Sequence, residues 1–317
     1  MTLPVTVIIA VKNEVANIAR CLSSLSDMQR IVVVDSRSTD GTAETAAQFG
    51  AEVIPFDYQG GYPKKRQWAL ENVGITTPWV LLLDADEVVP PALLNEIRMT
   101  VTNPSAKDGY LIHKGFHFLG RRFRFGGFSH AAVLLFRTGK AKFEHIFDDN
   151  PGGMDMEVHE RLHVDGQIGT LKHHLIHEDF KGLQAYVARH NQYSTWEAAV
   201  RMRYLSSGGW GNEAIKARLF GNAQERRRFL KQLVCRLPFE HWIWFCNHYF
   251  VRLGFLEGRA GLIASRLRAQ YIVNVKAKIA EQQMTAADGV VVEDSVRIPV
   301  RPDTAAEDTA ASQKQAA

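Results

Sequence analysis

Trp79-Val80-Leu81-Leu82-Leu83-Asp84-Ala85-Asp86-Glu87 sets five apolar residues directly against three carboxylates. A short continuous apolar run that stops at a polar cluster reads as a strand buried on both faces, as in a parallel sheet. Working outward from it, the preceding residues alternate between strand and helix patterns. Val5–Ala10 is a β-branched run stopped by Lys12-Asn13-Glu14, and Val15–Leu25 carries Val15, Ile18, Ala19, Leu22 and Leu25 at helical spacing. Ile31–Val34 is a second strand, stopped by Asp35-Ser36-Arg37-Ser38-Thr39-Asp40-Gly41. Thr42–Phe49 reads as a helix closed by Gly50, Ala51–Pro55 as a third strand and Lys64–Val73 as a helix before the Trp79 strand. This alternation predicts an α/β fold, a Rossmann-like, mostly parallel sheet with helices on both faces. Ligands of such sheets bind outside the carboxyl ends of the strands, where the clusters after Ala10, Val34 and Leu83 converge.

Two carboxylates one residue apart at a strand end, Asp84 and Asp86, can hold a hard divalent cation that neutralises a diphosphate. The competing reading is a solvated turn that caps a helix beginning near Pro90-Pro91. Asp35 can accept hydrogen bonds from a base or ribose, whereas Asp40 and Thr42 suit helix capping. No GxGxxG follows the first strand and no GxxxxGK[ST] occurs, which argues against a dinucleotide cofactor and a P-loop.

Composition bounds the rest. The chain has 317 residues, 46% hydrophobic and 23% charged, which fits a globular protein with a sizeable core. Cys21, Cys235 and Cys246 are too few for a disulfide framework, so a reducing compartment is expected. Met1–Val11 lacks the marks of a signal peptide, and no run reaches the roughly 18 apolar residues that span a bilayer. The net charge of +4 hides an asymmetry: Lys181–Lys278 holds 17 basic and five acidic residues. Such a half-chain calls for an anionic partner, membrane or nucleic acid.

Three further stretches stand out. Gly109–His177 reads as short strands and Gly-rich turns that complete the sheet. Phe116–Phe128 interleaves Phe with Arg121, Arg122 and Arg124, either as a hairpin whose aromatics enter the core or as a surface for sugars, bases or lipid. Residues 237–280 mix Trp242, Trp244, Phe245, Tyr249, Phe250, Phe255 and Tyr271 with arginines. That pattern suits amphipathic helices lying on an anionic leaflet, the competing reading being a helix packed on the catalytic domain. His159, His163, His173, His174 and His177 are dense but fit no standard zinc spacing. The expected organisation is a domain over 1–180, a helical, basic, membrane-associating region over 181–284 and a disordered tail over 285–317.

Val7-Ile-Ile-Ala-Val-Lys-Asn-Glu14, Val32-Val-Val-Asp-Ser-Arg-Ser-Thr-Asp-Gly-Thr42 and Leu81-Leu-Leu-Asp-Ala-Asp-Glu87 together resemble the family 2 glycosyltransferases of the GT-A fold, over about 180 residues. Gly60–Leu70, Val158-His159-Glu160 and Phe250–Gly261 resemble the branch with the lipopolysaccharide-core β-glucosyltransferases. The resemblance implies nucleotide-sugar binding at Val11, Glu14, Asp35, Ser38, Arg66 and Asp84, with Asp35 reading a uracil ring. It implies a Mg2+ or Mn2+ ion held by Asp86 and Asp84, with His177 beside the metal and diphosphate. It implies Glu160 as the base of an inverting transfer, Asp155 and Glu157 being its competitors. Gln67 departs from the family's usual Asn.

The implied function is metal-dependent transfer of a sugar from a nucleotide, UDP first, to a lipid-linked saccharide or lipopolysaccharide core. This belongs to cell-envelope or exopolysaccharide biosynthesis at the cytoplasmic face of a bacterial inner membrane, the protein being peripheral. The alternatives are transfer to polyprenyl phosphate and, from another class, a non-catalytic nucleotide-sugar or nucleic-acid-binding protein. The strand-end carboxylates speak against nucleic acid, and none is expected as a partner.

Overall fold

Among the described residues, eight strands hydrogen-bond side by side in one sheet, with a ninth attached to it. They are β1 (Leu3–Val11), β2 (Met28–Asp35), β3 (Glu52–Pro55), β4 (Trp79–Asp84), β5 (Glu87–Val88), β6 (Gly109–Phe118), β8 (His130–Arg137) and β11 (Ile168–His177). A short β7 (Arg121–Arg122) folds back on β6, and β9 (Ala141–Phe143) pairs with β10 (Leu162–Val164) apart from the sheet. The computed structural model describes residues 2–145, 153–157, 160–207, 218–220, 229–230 and 232–287. The expected disorder of the tail therefore falls, from residue 288 on, outside the described residues.

The strand order is β3-β2-β1-β4-β8-β6-β11-β5. The first four are mutually parallel, as their near-continuous apolar sequences require, since both faces are covered. α1 (Val15–Ser23) and α2 (Thr42–Gln48) carry the chain from β1 outward to β3 and pack on each other. α3 (Lys65–Asn72) brings it back to β4 on the other side of β1. Right-handed crossovers that reverse direction put α3 on the opposite face from α1 and α2. The reversal makes a topological switch point between β1 and β4, the place where such sheets open a crevice for ligands. β8 then adds antiparallel to β4 and β6, and β6 pairs parallel with β11. The core is Val5, Val7, Ile9, Val33, Leu81, Leu83, Trp79 and Phe136 with α1's Ile18 and Leu22 and with Leu93 and Ile97 of α4 (Pro91–Val101).

After β11 the chain runs directly into α5 (Gly182–Ser207). Beyond it come α6 (Glu240–Cys246), a π turn over Asn247–Val251, a 3-10 turn over Gly254–Glu257 and α7 (Gly258–Ala287). No described helix is long and apolar enough to cross a membrane. α7 buries Ala260, Ala264, Tyr271, Ile272 and Val275, packing on the β6–β8 hairpin and on α5. A Cβ at Gly261 would collide with the carbonyl oxygen of Gly254, so only glycine lets α7 start this close to the preceding turn. Phe116, Phe118, Phe123 and Phe128 of the Arg/Phe stretch pack together against Ala260 and Ala264, so most of its aromatics go inward. Of residues 237–280, α7 packs on the hairpin and α5, whereas α6 and the turns after it leave large apolar side chains exposed.

Candidate functional site

Register brings the three clusters to one rim: Val11 lies opposite Asp35 and Ala10 opposite Asp84. The loops beyond β1 and β2 are stitched together. Asn13 donates its N–H to Ser38 Oγ (2.8 Å), Thr39 donates to Asn13 Oδ1 (2.9 Å) and Glu14 to Thr42 Oγ1 (2.8 Å). Asp40 caps two helices: its Oδ1 accepts from Thr42 N at the start of α2 (3.1 Å) and its Oδ2 from Val15 N at the start of α1 (3.0 Å). Asp35 is buried, and its two oxygens accept from the N–H (3.0 Å) and hydroxyl of Ser38. Glu14 Oε1 meets Lys181 Nζ at 2.5 Å and Oε2 accepts from Asn17 (2.9 Å); burial raises its pKa.

The two aspartates of Asp84-Ala85-Asp86 take different partners. Asp84 is gripped by two cations, Arg66 on Oδ1 and Lys114 Nζ on Oδ2 (2.9 Å). Burial alone would raise the Asp84 pKa, but the charges of Arg66 and Lys114 outweigh it and hold it well below the carboxylate range. Lys114 also meets the fully buried Glu87 at 2.5 Å, and Glu87 Oε2 accepts from Asp84 N (3.0 Å). Burial disfavours the Lys114 ammonium, yet Asp84 and Glu87 more than compensate and raise its pKa. Asp86 instead faces His177, with Oδ2 to Nε2 at 3.2 Å. Against the desolvation of its charged form, the hydrogen bond and charge of Asp86 push His177 up to about 9. His130 stands with its ring centroid 6.4 Å from that of His177, and burial drops its pKa to about 4. Tyr193 of α5 feels the charges of Asp84, Arg66 and Asp86, and burial lifts it to about 12.

Asp86 and His177 would hold a divalent ion with one carboxylate and one imidazole, the imidazole releasing the proton that Asp86 favours as the ion binds. Asp84 has both oxygens engaged, so the pair does not open as two matching ligands. Among the described residues, no three or more His, Cys, Asp or Glu side chains are gathered to hold a metal by themselves.

Asp155, Glu157 and Glu160 each meet a residue at the start of α3 or just before it. Asp155 Oδ2 pairs with Lys65 Nζ (2.9 Å) and accepts from the Ser36 hydroxyl, while Lys65 also donates to the carbonyl of Val11 (2.8 Å). Burial would raise the Asp155 pKa, but Lys65 and Ser36 leave it lowered. Glu157 caps α3, accepting from the N–H groups of Arg66 (3.1 Å) and Gln67 (3.0 Å). Its pKa is raised by burial. Glu160 pairs with Lys64 at 2.7 Å, beside a small cavity lined by Gly61, Tyr62, Glu144, His145 and Glu157. Val158 and His159, between the last two acids, lie outside the described residues. His163, His173 and His174 sit on β10 and β11, with His173 bonded to Glu96, away from the Asp86–His177 pair.

Sequence reasoning missed Lys64, Lys65, Lys114, His130 and Tyr193. Only Lys114 carried a signal, an ammonium within Gly109-Tyr-Leu-Ile-His-Lys-Gly-Phe116, a strand otherwise reading as buried.

Residues 6–108 match the family described as Glycosyl transferase family 2. Over 282 residues, 85% of this chain and 92% of the relative, the chain is 26% identical to the lipopolysaccharide core biosynthesis glycosyltransferase LpsC of Rhizobium meliloti (strain 1021). It is 35% identical over 111 residues, 35% of this chain and 38% of the relative, to an uncharacterized glycosyltransferase of Rickettsia felis. Among solved structures, mannosyltransferase PcManGT from Pyrobaculum calidifontis, in complex with GDP-Man and Mn2+, aligns with a TM-score of 0.47 at 15% identity, covering 89% of this chain and 88% of that one. β2 to β4, most of β1 and the strand-end carboxylates lie inside the residues that match glycosyl transferase family 2, and the chain is a glycosyltransferase.

Proposed function

We propose that the chain moves a sugar from a nucleotide donor, UDP first, to a lipid-linked saccharide or lipopolysaccharide-core acceptor, with inversion at the sugar carbon. The observation that carries this reading is the rim at the switch point, where Asp35, Asp84 and Asp86 line up beside Arg66, Lys114 and His177. The likeness to LpsC along most of both chains supports the acceptor class. An acceptor of that kind lies at a membrane, so the enzyme works as a peripheral protein on the cytoplasmic face of the inner membrane. Residues 1–180 form the catalytic unit and 181–284 the region that associates with the membrane.

In this reading Val11, Glu14, Asp35 and Ser38 receive the nucleoside, the Asp35 carboxylate accepting from N–H or O–H donors. Arg66, fixed by Asp84, puts positive charge beside the diphosphate. Asp86 and His177 hold Mg2+ or Mn2+, which when bound stabilises the charge of the departing diphosphate. The imidazole tilts the choice toward Mn2+, because nitrogen suits it better than the harder Mg2+.

The acceptor hydroxyl attacks the anomeric carbon as the bond to the diphosphate breaks, and its proton passes to a carboxylate. Glu157 has both oxygens on backbone N–H groups at the start of α3, whereas Asp155 and Glu160 are each paired with a lysine, Lys65 and Lys64. Glu160 is the base, oriented by Lys64. The test is product formation from UDP-sugars with a lipopolysaccharide-core acceptor, with and without Mn2+. UDP release that needs both metal and acceptor is expected. A chain that binds UDP-sugars but turns over none of them with any saccharide or polyprenyl-phosphate acceptor would remove the reading.

A further inference from the structure

Between Arg236 and Arg268 the chain holds only two acidic residues, Glu240 and Glu257, and the fold buries both. Glu240 pairs inward with Arg201 (2.7 Å) and accepts from Trp244 Nε1 (3.1 Å). Glu257 Oε1 accepts the N–H groups of Arg124 (2.6 Å) and Phe125 (2.9 Å) at the tip of the β6–β8 hairpin. The charges left at the surface of this stretch are therefore all positive. Arg252 and Arg259 are exposed on it, with Arg124 and, 3.4 Å from Glu257, Arg121 on the hairpin beside it.

The same stretch exposes apolar side chains of the largest kind. Trp242 is 59% exposed, Phe250 55% and Val251 75%, with Phe239, Phe255 and Leu256 also open. They crowd the short path from α6 through the π turn and the 3-10 turn, where Phe245 stacks on Tyr249 and meets Phe250 edge-on. Monomeric proteins rarely leave such a patch uncovered. It is also held firmly to the catalytic sheet, since Gly126 donates its N–H to the carbonyl of Arg252 (2.7 Å) and His248 Nδ1 meets Gly126 O at 2.6 Å.

We propose that this wedge, residues 239–256, is the surface by which the enzyme docks on an anionic lipid leaflet, with the side chains of Trp242, Phe250 and Val251 in the headgroup–acyl boundary and the arginines on lipid phosphates. The inference rests on the lipid-acceptor reading above and names the surface involved. Charge decides the occupant. Aromatic and aliphatic side chains ringed by arginine match an interface that is apolar below and anionic above. A second copy would set arginines against arginines, a like-charge contact that costs rather than contributes.

Co-sedimentation of the full chain with phosphatidylcholine vesicles, with and without phosphatidylglycerol, tests it. Wild type should sediment with the anionic vesicles and be released by salt. Trp242→Ser/Phe250→Ser/Val251→Ser should lower partitioning by about tenfold or more, and Arg252→Glu/Arg259→Glu should abolish the dependence on phosphatidylglycerol. These residues are exposed and far in sequence from the rim, so thermal unfolding and UDP-sugar binding by both variants should match wild type. Unchanged sedimentation of the apolar triple variant, or no binding of wild type to anionic vesicles, would overturn the proposal. So would a wild-type dimer in solution that the triple variant converts to monomer, or wild-type binding to an acidic peptide with none to vesicles. Loss of the glycosyltransfer reading would look different: normal vesicle binding with no donor turnover in any variant.

Discussion

Lys114 Nζ stands 2.9 Å from Asp84 Oδ2, joining a strand in the middle of the sheet to the carboxylate at the end of β4. The same ammonium neutralises Glu87, which has no exposure to water. Removing one partner of such a buried set leaves an uncompensated charge. Lys114→Met should therefore cost about 3–5 kcal/mol of stability in urea unfolding. Adding Glu87→Gln should return part of that loss, since it removes one of the stranded carboxylates.

The three acids on 153–160 should separate cleanly by kinetics. Glu160→Gln should cut kcat by roughly 10²–10⁴ while donor affinity holds. Glu157→Ala should instead weaken folding by about 1–2 kcal/mol, the value of a lost helix cap. Wild-type kcat in Glu160→Gln, measured with saturating donor and acceptor, would move the base elsewhere.

Metal dependence should follow Asp86 more than Asp84. Excess EDTA should stop transfer, and Mn2+ should restore it more fully than Mg2+. Asp86→Ala should abolish both responses. His177→Ala should erase the advantage of Mn2+ over Mg2+, because the nitrogen ligand is gone. Transfer at full rate in EDTA would dispose of the ion altogether.

Acid should weaken the protein through Asp155. Its folded pKa lies below the ordinary value of 3.8, against the effect of burial, because Lys65 and Ser36 favour the carboxylate. A depressed carboxylate contributes stability that is present above the unfolded pKa and lost as pH falls through the folded one. Unfolding free energy should thus drop as the pH falls below about 4, and Asp155→Asn should flatten that part of the curve. An identical slope in the variant would assign the acid sensitivity to other groups.

Local sequence carried the strands and rim carboxylates well. β1, β2 and β4 each join an apolar run to a polar stop, and neither feature depends on distant residues. Their bounds extend past the predicted runs, with β2 starting at Met28 rather than Ile31, because edges of strands are set by pairing with neighbours. The sequence named Glu160 by resemblance, but that Glu157 is the acid that meets the N-terminus of α3, some ninety residues earlier, was not legible in it. Nor was the destination of Phe116, Phe118, Phe123 and Phe128. They turn inward because Ala260 and Ala264 of α7 offer a small-residue face to pack on.

By itself, then, the order of residues determined the parallel half of the sheet and the three acidic stops on its rim, because burial on two faces and strand-end placement are written in contiguous letters. Tertiary structure alone decided that Asp84 is held by Arg66 and Lys114 while Asp86 turns to His177, and that Glu240 and Glu257 vanish from a surface left wholly cationic. Charge pairing acts through space, and the partners come from strands and helices that only folding brings within 3–4 Å.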